Sequence, residues 1–320
     1  MYQAFFQLKR PPFEISPDPS FLYPTVRHYE GLAALYYGIR ARKGFVVLSG
    51  EVGTGKTMIV RCLLEKLDKN RVHYAYVFNT RLSPREFLRY LAGDLGVPVK
   101  GRDKGELLLR LHEFLIRRHS QGHTTVLIVD EAHLLRRDVL EEIRLLTNLE
   151  TNREKLLQIA LVGQPELDEL LDSPKLRQLK QRIALRYQLQ PLTWEEIQGY
   201  VGWRLKVAGA NGKHSIFPRE TLQVIHQYSR GYPRLINTIC ENALITAYAA
   251  GTQSVSVGMI EEVCRDLRLA ATDPPVPESA PKPNGQPPTP EFALALQELV
   301  DAVRSVTQTY LVPQSPEKEN

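Results

Sequence analysis

The sequence predicts an α/β protein in which a parallel sheet, covered by helices, is followed by a small α-helical domain. Three observations carry this. Short apolar runs rich in β-branched residues alternate with amphipathic helical segments between residues 45 and 189, the pattern of a doubly covered parallel sheet. The first run, Phe45-Val46-Val47-Leu48-Ser49, opens into a glycine-rich turn that continues as a helix. After Pro191 only helical spacing remains.

In chain order, residues 1–25 interleave aromatics with prolines (Phe5, Phe6, Phe13, Pro17, Pro19, Phe21, Tyr23), which suits an extended strap packed over a domain better than a helix. Residues 26–42 have helical spacing and lead into the first strand. A second strand is expected at 72–78. Ser83-Pro84-Arg85-Glu86 is a capping box with proline at the first helical position, so a helix runs to about residue 95. Leu107, Leu108, Leu111, Phe114 and Leu115 mark a further amphipathic helix. Strands follow at 124–129, 156–162 and 185–189, with a helix at 139–149 between the first two. Thr193-Trp194-Glu195-Glu196 caps the first helix of the second domain, Pro218 and Pro233 start two more, and residues 257–269 form a fourth. Eight prolines among polar residues between 272 and 290 make a semi-rigid linker. Beyond it Phe292, Leu296, Leu299, Val303, Val306 and Tyr310 form a heptad-like seam on a short helix. The expected organisation is a strap and helix at 1–43, a core at 44–191, a helical domain at 192–270, a linker at 271–290 and an amphipathic helix at 291–312.

The chain of 320 residues is 43% apolar and 24% charged, ordinary globular material with room for a sizeable core. Its net charge of +5 is unevenly spread: from Asp273 onward three Lys/Arg meet seven Asp/Glu, leaving about +9 on residues 1–272. A basic body is compatible with nucleic acid, anionic lipid or a nucleotide. Cys62, Cys240 and Cys264 are odd in number and far apart, which argues against a disulfide framework or a zinc site and for buried thiols in a reducing compartment. No apolar run approaches the roughly 18–20 residues of a membrane span. The expected location is cytoplasmic, at most peripheral to the inner membrane.

The glycine-rich turn, Gly50-Glu51-Val52-Gly53-Thr54-Gly55-Lys56-Thr57, fills every fixed position of G-x-x-x-x-G-K-[ST]. Such a loop turns its backbone N–H groups inward to cradle phosphate oxygens at a helix N-terminus. Lys56 is then placed to reach the β/γ-phosphates, and the Thr57 hydroxyl can ligate Mg²⁺. The strand at 124–129 ends in Asp130 and Glu131, where a parallel sheet opens its ligand crevice. Asp130 suits the metal, and Glu131 suits a general base for water attacking ATP. Asp130-Glu131-Ala132-His133 also spells the box of one helicase class, but such helicases need two phosphate-handling domains in tandem. His133 is expected to orient Glu131 or pack locally. Gln164 follows the fourth strand, beside Asp130 if those strands are neighbours, where an amide could sense the γ-phosphate or position water. Arg177 and Arg182 precede the last strand as candidates for neutralising transition-state charge. Arg234, in the first turn of a helix whose dipole disfavours a cation, suggests a phosphate ligand.

With these elements in this order, the chain resembles the AAA+ ATPases, and more narrowly the ExeA-like group, the general secretion pathway protein A type with its pilus-biogenesis and exosortase-locus relatives. The shared wording includes Pro-Asp-Pro-Ser-Phe-Leu-Tyr at 17–23, Glu30-Gly31-Leu32, Leu161-Val162-Gly163-Gln164-Pro165-Glu166-Leu167 and Gly231-Tyr232-Pro233-Arg234 with Ile236-Asn237. The resemblance covers residues 1 to about 270. It implies that Lys56 and Thr57 form Walker A, Asp130 and Glu131 Walker B, Gln164 sensor 1, Arg182 an arginine finger and Arg234 sensor 2 in a helical lid. Secretion members often continue into a transmembrane helix and a peptidoglycan-binding domain. This chain ends after a linker and a short helix, so the stand-alone exosortase-locus type is the nearer expectation.

The function expected from the resemblance is an ATP-hydrolysing homo-oligomer, ring or filament, that supports assembly of a secretion or envelope export system. Its C-terminal helix would dock a membrane-bound component. The alternative is a DNA-associated regulator of the transposition type, since similar cores occur there.

Overall fold

Each central strand is apolar on both sides, so it must be covered on both sides. Phe45 and Val47 face one helical layer while Val46 and Leu48 face the other. The same alternation separates Leu127 and Val129 from Val126 and Ile128, and Ile159 and Leu161 from Ala160 and Val162. The computed structural model describes residues 1–271 apart from 24, 80, 99–102 and 212–214. The linker from residue 272 onward and the 291–312 helix lie outside the described residues.

The chain starts with α1 (Tyr2–Phe5), α2 (Val26–Arg40), β1 (Phe45–Gly50), α3 (Lys56–Lys66) and β2 (Val72–Val77). It continues through α4 (Pro84–Asp94), α5 (Lys104–Ser120), β3 (Thr124–Val129), α6 (Arg137–Leu146) and β4 (Leu157–Gly163). Two short helices, α7 (Glu166–Asp172) and α8 (Arg177–Lys180), lead to β5 (Leu185–Leu189). Four helices follow: α9 (Trp194–Val207), α10 (Arg219–Ser229), α11 (Pro233–Ala249) and α12 (Val257–Asp266). The five strands are parallel in the order β2-β3-β4-β1-β5. Strands β3, β4 and β1 are therefore adjacent, with their C-terminal ends at one edge.

Local chemistry sets the boundaries. Ser83 accepts from the Glu86 N–H while the Glu86 carboxylate accepts from the Ser83 N–H, the capping box expected, with Pro84 opening α4. Thr193 and Glu196 repeat the device at α9. Helix α6 ends at Leu146, three residues short of the sequence expectation, because the chain turns into a hairpin in which Glu150 pairs with Lys155.

The strap packs chiefly on the helical bundle, with Leu22 reaching one covered face of the sheet and the Pro17 carbonyl accepting from Arg61 of α3 at 2.6 Å. Phe6, Leu8, Phe13 and Phe21 join one core with Ile197, Ile225, Ile236, Ile239 and Leu244. The Phe13 and Phe217 rings meet edge to face at 5.8 Å. One short helix, α1, forms where none was expected. Arg204 of α9 fastens the strap: its guanidinium, 97% removed from solvent, donates to the carbonyls of Pro12 and Glu14 at 2.5 and 3.2 Å and lies 4.6 Å from the Phe21 ring centroid. Among the described residues no helix is long and apolar enough to cross a membrane.

The bundle joins the sheet through Gly231, whose carbonyl accepts from the Leu192 N–H at 2.9 Å. Gly231 has φ +80, and a Cβ there would overlap the Leu192 carbonyl oxygen. Gly231→Ala should therefore lose about 1–3 kcal/mol, read as a lower denaturation midpoint with an unchanged denaturant slope. An unaltered midpoint would show that this junction tolerates a side chain.

Candidate functional site

The turn from Gly50 to Thr57 leaves the central strand β1 and enters α3 with two left-handed glycines, Gly53 at φ +81 and Gly55 at φ +102. Both are crowded as well as left-handed. A Cβ on Gly53 would meet Arg234 Cβ at 2.8 Å, and one on Gly55 would meet His28 Nε2 at 3.2 Å. The buried Thr54 hydroxyl donates to the Glu51 carbonyl at 2.8 Å. Lys56 Nζ donates to the Gly50 and Glu51 carbonyls at 2.7 and 2.9 Å. Burial lowers the Lys56 pKa, opposed by the charges of Glu131 and Asp130. The ammonium of this buried lysine is thus desolvated and braced by carbonyls, which suits capture of an anion.

Parallel pairing brings the neighbouring strand ends to this loop. Asp130 Oδ2 accepts from the Thr57 hydroxyl at 3.2 Å and from the Tyr76 hydroxyl of β2 at 2.8 Å, while Oδ1 accepts from the Glu131 N–H at 2.9 Å. Burial holds the Tyr76 phenol well above its usual range, so it remains a donor. Glu131 itself has φ +52, an uncommon backbone for a residue with a side chain. Its carboxylate lies 3.5 Å from His133 Nδ1, the same nitrogen that faces the Gln164 N–H at 3.4 Å. With Nδ1 accepting from the Gln164 N–H it has no proton to give Glu131, so His133 is a polar neighbour of Glu131 and not a bridge between the two.

Thr57, Lys56, Glu131, Gln164 and Arg234 border one cavity of about 330 Å³. Arg234 reaches it because its own N–H donates to the Gly53 carbonyl at 3.2 Å, seating the start of α11 on the loop. The opposite wall is the strap: Ile15, Pro17, Leu22 and Tyr23. The sequence marked 17–23 as strap and shared wording, but it marked none of these, nor His28 and Tyr76, as site residues. His28 receives the Thr25 hydroxyl at Nδ1, 2.6 Å away, and its Nε2 lies 3.2 Å from the Thr54 carbonyl inside the phosphate-loop motif.

Arg182 is not part of this constellation. It precedes β5 and lies at the N-terminal end of the sheet, away from the cavity by the length of the strand, about 16 Å for five residues. Arg177 borders a separate hollow with Lys180, Gln181 and Asp172.

A family model described as AAA domain matches residues 39–171. Residues 39–171 are an AAA domain. The chain that carries this AAA domain is 47% identical over 273 residues to General secretion pathway protein A of Aeromonas hydrophila, covering 85% of this chain and 48% of that protein. It spans about half that relative's length. ATP-dependent target DNA activator B of Escherichia phage D108 is 28% identical over 232 residues, covering 71% of this chain and 67% of that protein. Among solved structures, the Aeropyrum pernix ORC2 protein in its ADPNP-ADP complexes shares the fold at a TM-score of 0.60 and 18% identity, over 83% of this chain and 73% of that one.

His28 gives the fold a pH dependence. Burial pushes its pKa down from 6.5 to about 4, against the opposing pull of the Thr54 carbonyl. Between those values the unfolded chain binds a proton that the folded one excludes. The stability tied to neutral His28 is therefore complete above about pH 6.5 and lost as pH falls toward 4, on the order of 2–3 kcal/mol. His28→Gln should melt with a shallower decline between pH 6.5 and 4.5 than the parent. Parallel melting curves would contradict this account.

Proposed function

We propose that this chain binds ATP with Mg²⁺ and hydrolyses it to ADP and phosphate as a homo-oligomer, supporting assembly of a secretion or envelope export system. One observation carries the reading: Lys56, Thr57, Glu131, Gln164 and Arg234 converge on a single cavity, with Asp130 bonded to Thr57 at its edge. Mg²⁺, when bound, supplies positive charge to the phosphate oxygens, and a hydroxyl 3.2 Å from a carboxylate is a donor set that fits it. Residues 50–57 would hold the phosphates through backbone N–H groups and the Lys56 ammonium. Glu131 would take the proton of the attacking water, with Gln164 orienting that water, and Arg234 would tie the bundle to the phosphates. The export role rests on the identity to General secretion pathway protein A.

Lys56→Ala should abolish nucleotide binding, because the Nζ is the cation held inside the loop, against the Gly50 and Glu51 carbonyls. Glu131→Gln should bind ATP like the parent and turn it over about 10²–10⁴-fold more slowly. Parental turnover by Glu131→Gln would remove Glu131 from the base role.

Arg182 lies away from its own cavity, which supports action in trans on the nucleotide of an adjacent subunit. Its guanidinium can pair with two phosphate oxygens at once. Where such fingers act on GTPases they are worth about 10³–10⁵ in rate. Activity should rise faster than linearly with protein concentration. Arg182→Ala mixed with Lys56→Ala, each inactive alone, should regain part of the rate; no recovery in verified mixed oligomers would assign the role to Arg177 or to a cis contact.

The basic body and the likeness to a phage protein named as an ATP-dependent target DNA activator favour a second reading, a DNA-associated regulator. DNA retention that weakens steeply with salt would support it. An oligomer and ATPase rate indifferent to DNA would exclude it.

A further inference from the structure

The far end of the cavity holds polar groups to which the phosphate chemistry assigns nothing. Tyr200 of α9 and Asn237 of α11 both border it, next to Arg204. A guanidinium has only donors. Arg204 Nη1 lies 3.1 Å from the Tyr200 oxygen, so that oxygen accepts there. The single Tyr200 proton then goes to Asn237 Oδ1 at 2.7 Å. Burial raises the Tyr200 pKa and keeps that proton in place. With its oxygen occupied, Asn237 has only its NH₂ group to offer. Asn237 is 94% buried, and among the described residues no partner is seen for that NH₂ group. The open side available to it is the cavity.

We infer that Asn237 reads the base of the bound nucleotide, presented as a hydrogen-bond donor by the chain Arg204 to Tyr200 to Asn237. This rests on the nucleotide-binding reading above. Position supports the base over the phosphates. Arg234, one turn earlier on α11 and about 4.5 Å back along its axis, is the residue in contact with the phosphate loop. The strap lines the same cavity with Ile15, Pro17, Leu22 and Tyr23 beside the polar Glu14 and Ser16, a largely apolar surface suited to a flat heterocycle. A fixed NH₂ donor beside such a surface matches a ring-nitrogen acceptor of a purine. Arg204 also fastens Pro12 and Glu14, so the same guanidinium orients the reader and the strap that presents this surface.

The test is calorimetric titration of the full chain with Mg·ATP, ribose 5-triphosphate and inorganic tripolyphosphate. Asn237→Ala should weaken ATP about tenfold, the loss of one buried hydrogen bond, and leave the other two ligands unchanged. Tyr200→Phe keeps the amide but frees it to rotate, so it should weaken ATP by a few-fold and again spare the other two. It serves as the second variant if Asn237→Ala folds poorly. ATP affinity unchanged in Asn237→Ala overturns the inference, as does an equal loss on tripolyphosphate, which would mark a structural disturbance. Equal loss on ribose 5-triphosphate moves the contact to the sugar and overturns the base assignment. If the parent protein binds neither ATP nor tripolyphosphate, the nucleotide reading falls first, and that result is distinct from the others.

Discussion

The pairing of β4 between β1 and β3 is the constraint on which the rest depends. In a parallel sheet the strand ends point one way, and adjacency fixes which ends are neighbours. Val47 opposite Leu161 and Leu127 opposite Ile159 hold that register inside a dry core. A slip of one residue would exchange the side chains packed in the two helical layers, and both layers are close-fitted to the ones they hold. The positions of Thr57, Asp130 and Gln164 follow from that register without long-range adjustment. Asp130 and Gln164 sit just past the ends of β3 and β4, and the loop at 50–57 adds the Thr57 hydroxyl, one braced lysine and backbone N–H groups.

The bundle and strap are placed by a different physics, a small number of buried polar contacts over an apolar core. Arg204 is a buried cation whose partners among the described residues are carbonyls, a phenol and aromatic faces, so its charge is spread over dipoles. Losing any one partner would leave a desolvated donor, which makes the strap's path specific. The Arg234 N–H on the Gly53 carbonyl and the Gly231 contact with Leu192 hold the bundle against the sheet at two points close in sequence.

Much of this was legible in the sequence because local patterns produced it. The runs at 124–129 and 185–189 appear as strands with those bounds, and both capping boxes open the helices they mark. The glycine-rich turn at 50–57 and the Asp130-Glu131 pair were readable because each is a contiguous motif of fixed spacing. What escaped reading joins residues distant in sequence. Tyr76 meets Asp130 across 54 positions, His28 meets Thr54 across 26, and Arg204 meets Pro12 across 192. No periodicity encodes such contacts. The aromatic and proline content of residues 1–25 indicated a packed strap, but nothing in it named the surface covered.

The cavity is built from both ends of the described chain: the strap at 14–23 on one side, the start of α11 at 233–237 on the other. During synthesis these segments emerge in that order, separated by the whole sheet. Phe6, Leu8, Phe13 and Phe21 are made first yet have no core to enter until α9 and α11 have left the ribosome. The loop at 50–57 waits as well, because the Gly53 carbonyl accepts from the Arg234 N–H of α11. Strap and loop are thus both completed by the last helices to be made, and the cavity they border exists only once the bundle is in place.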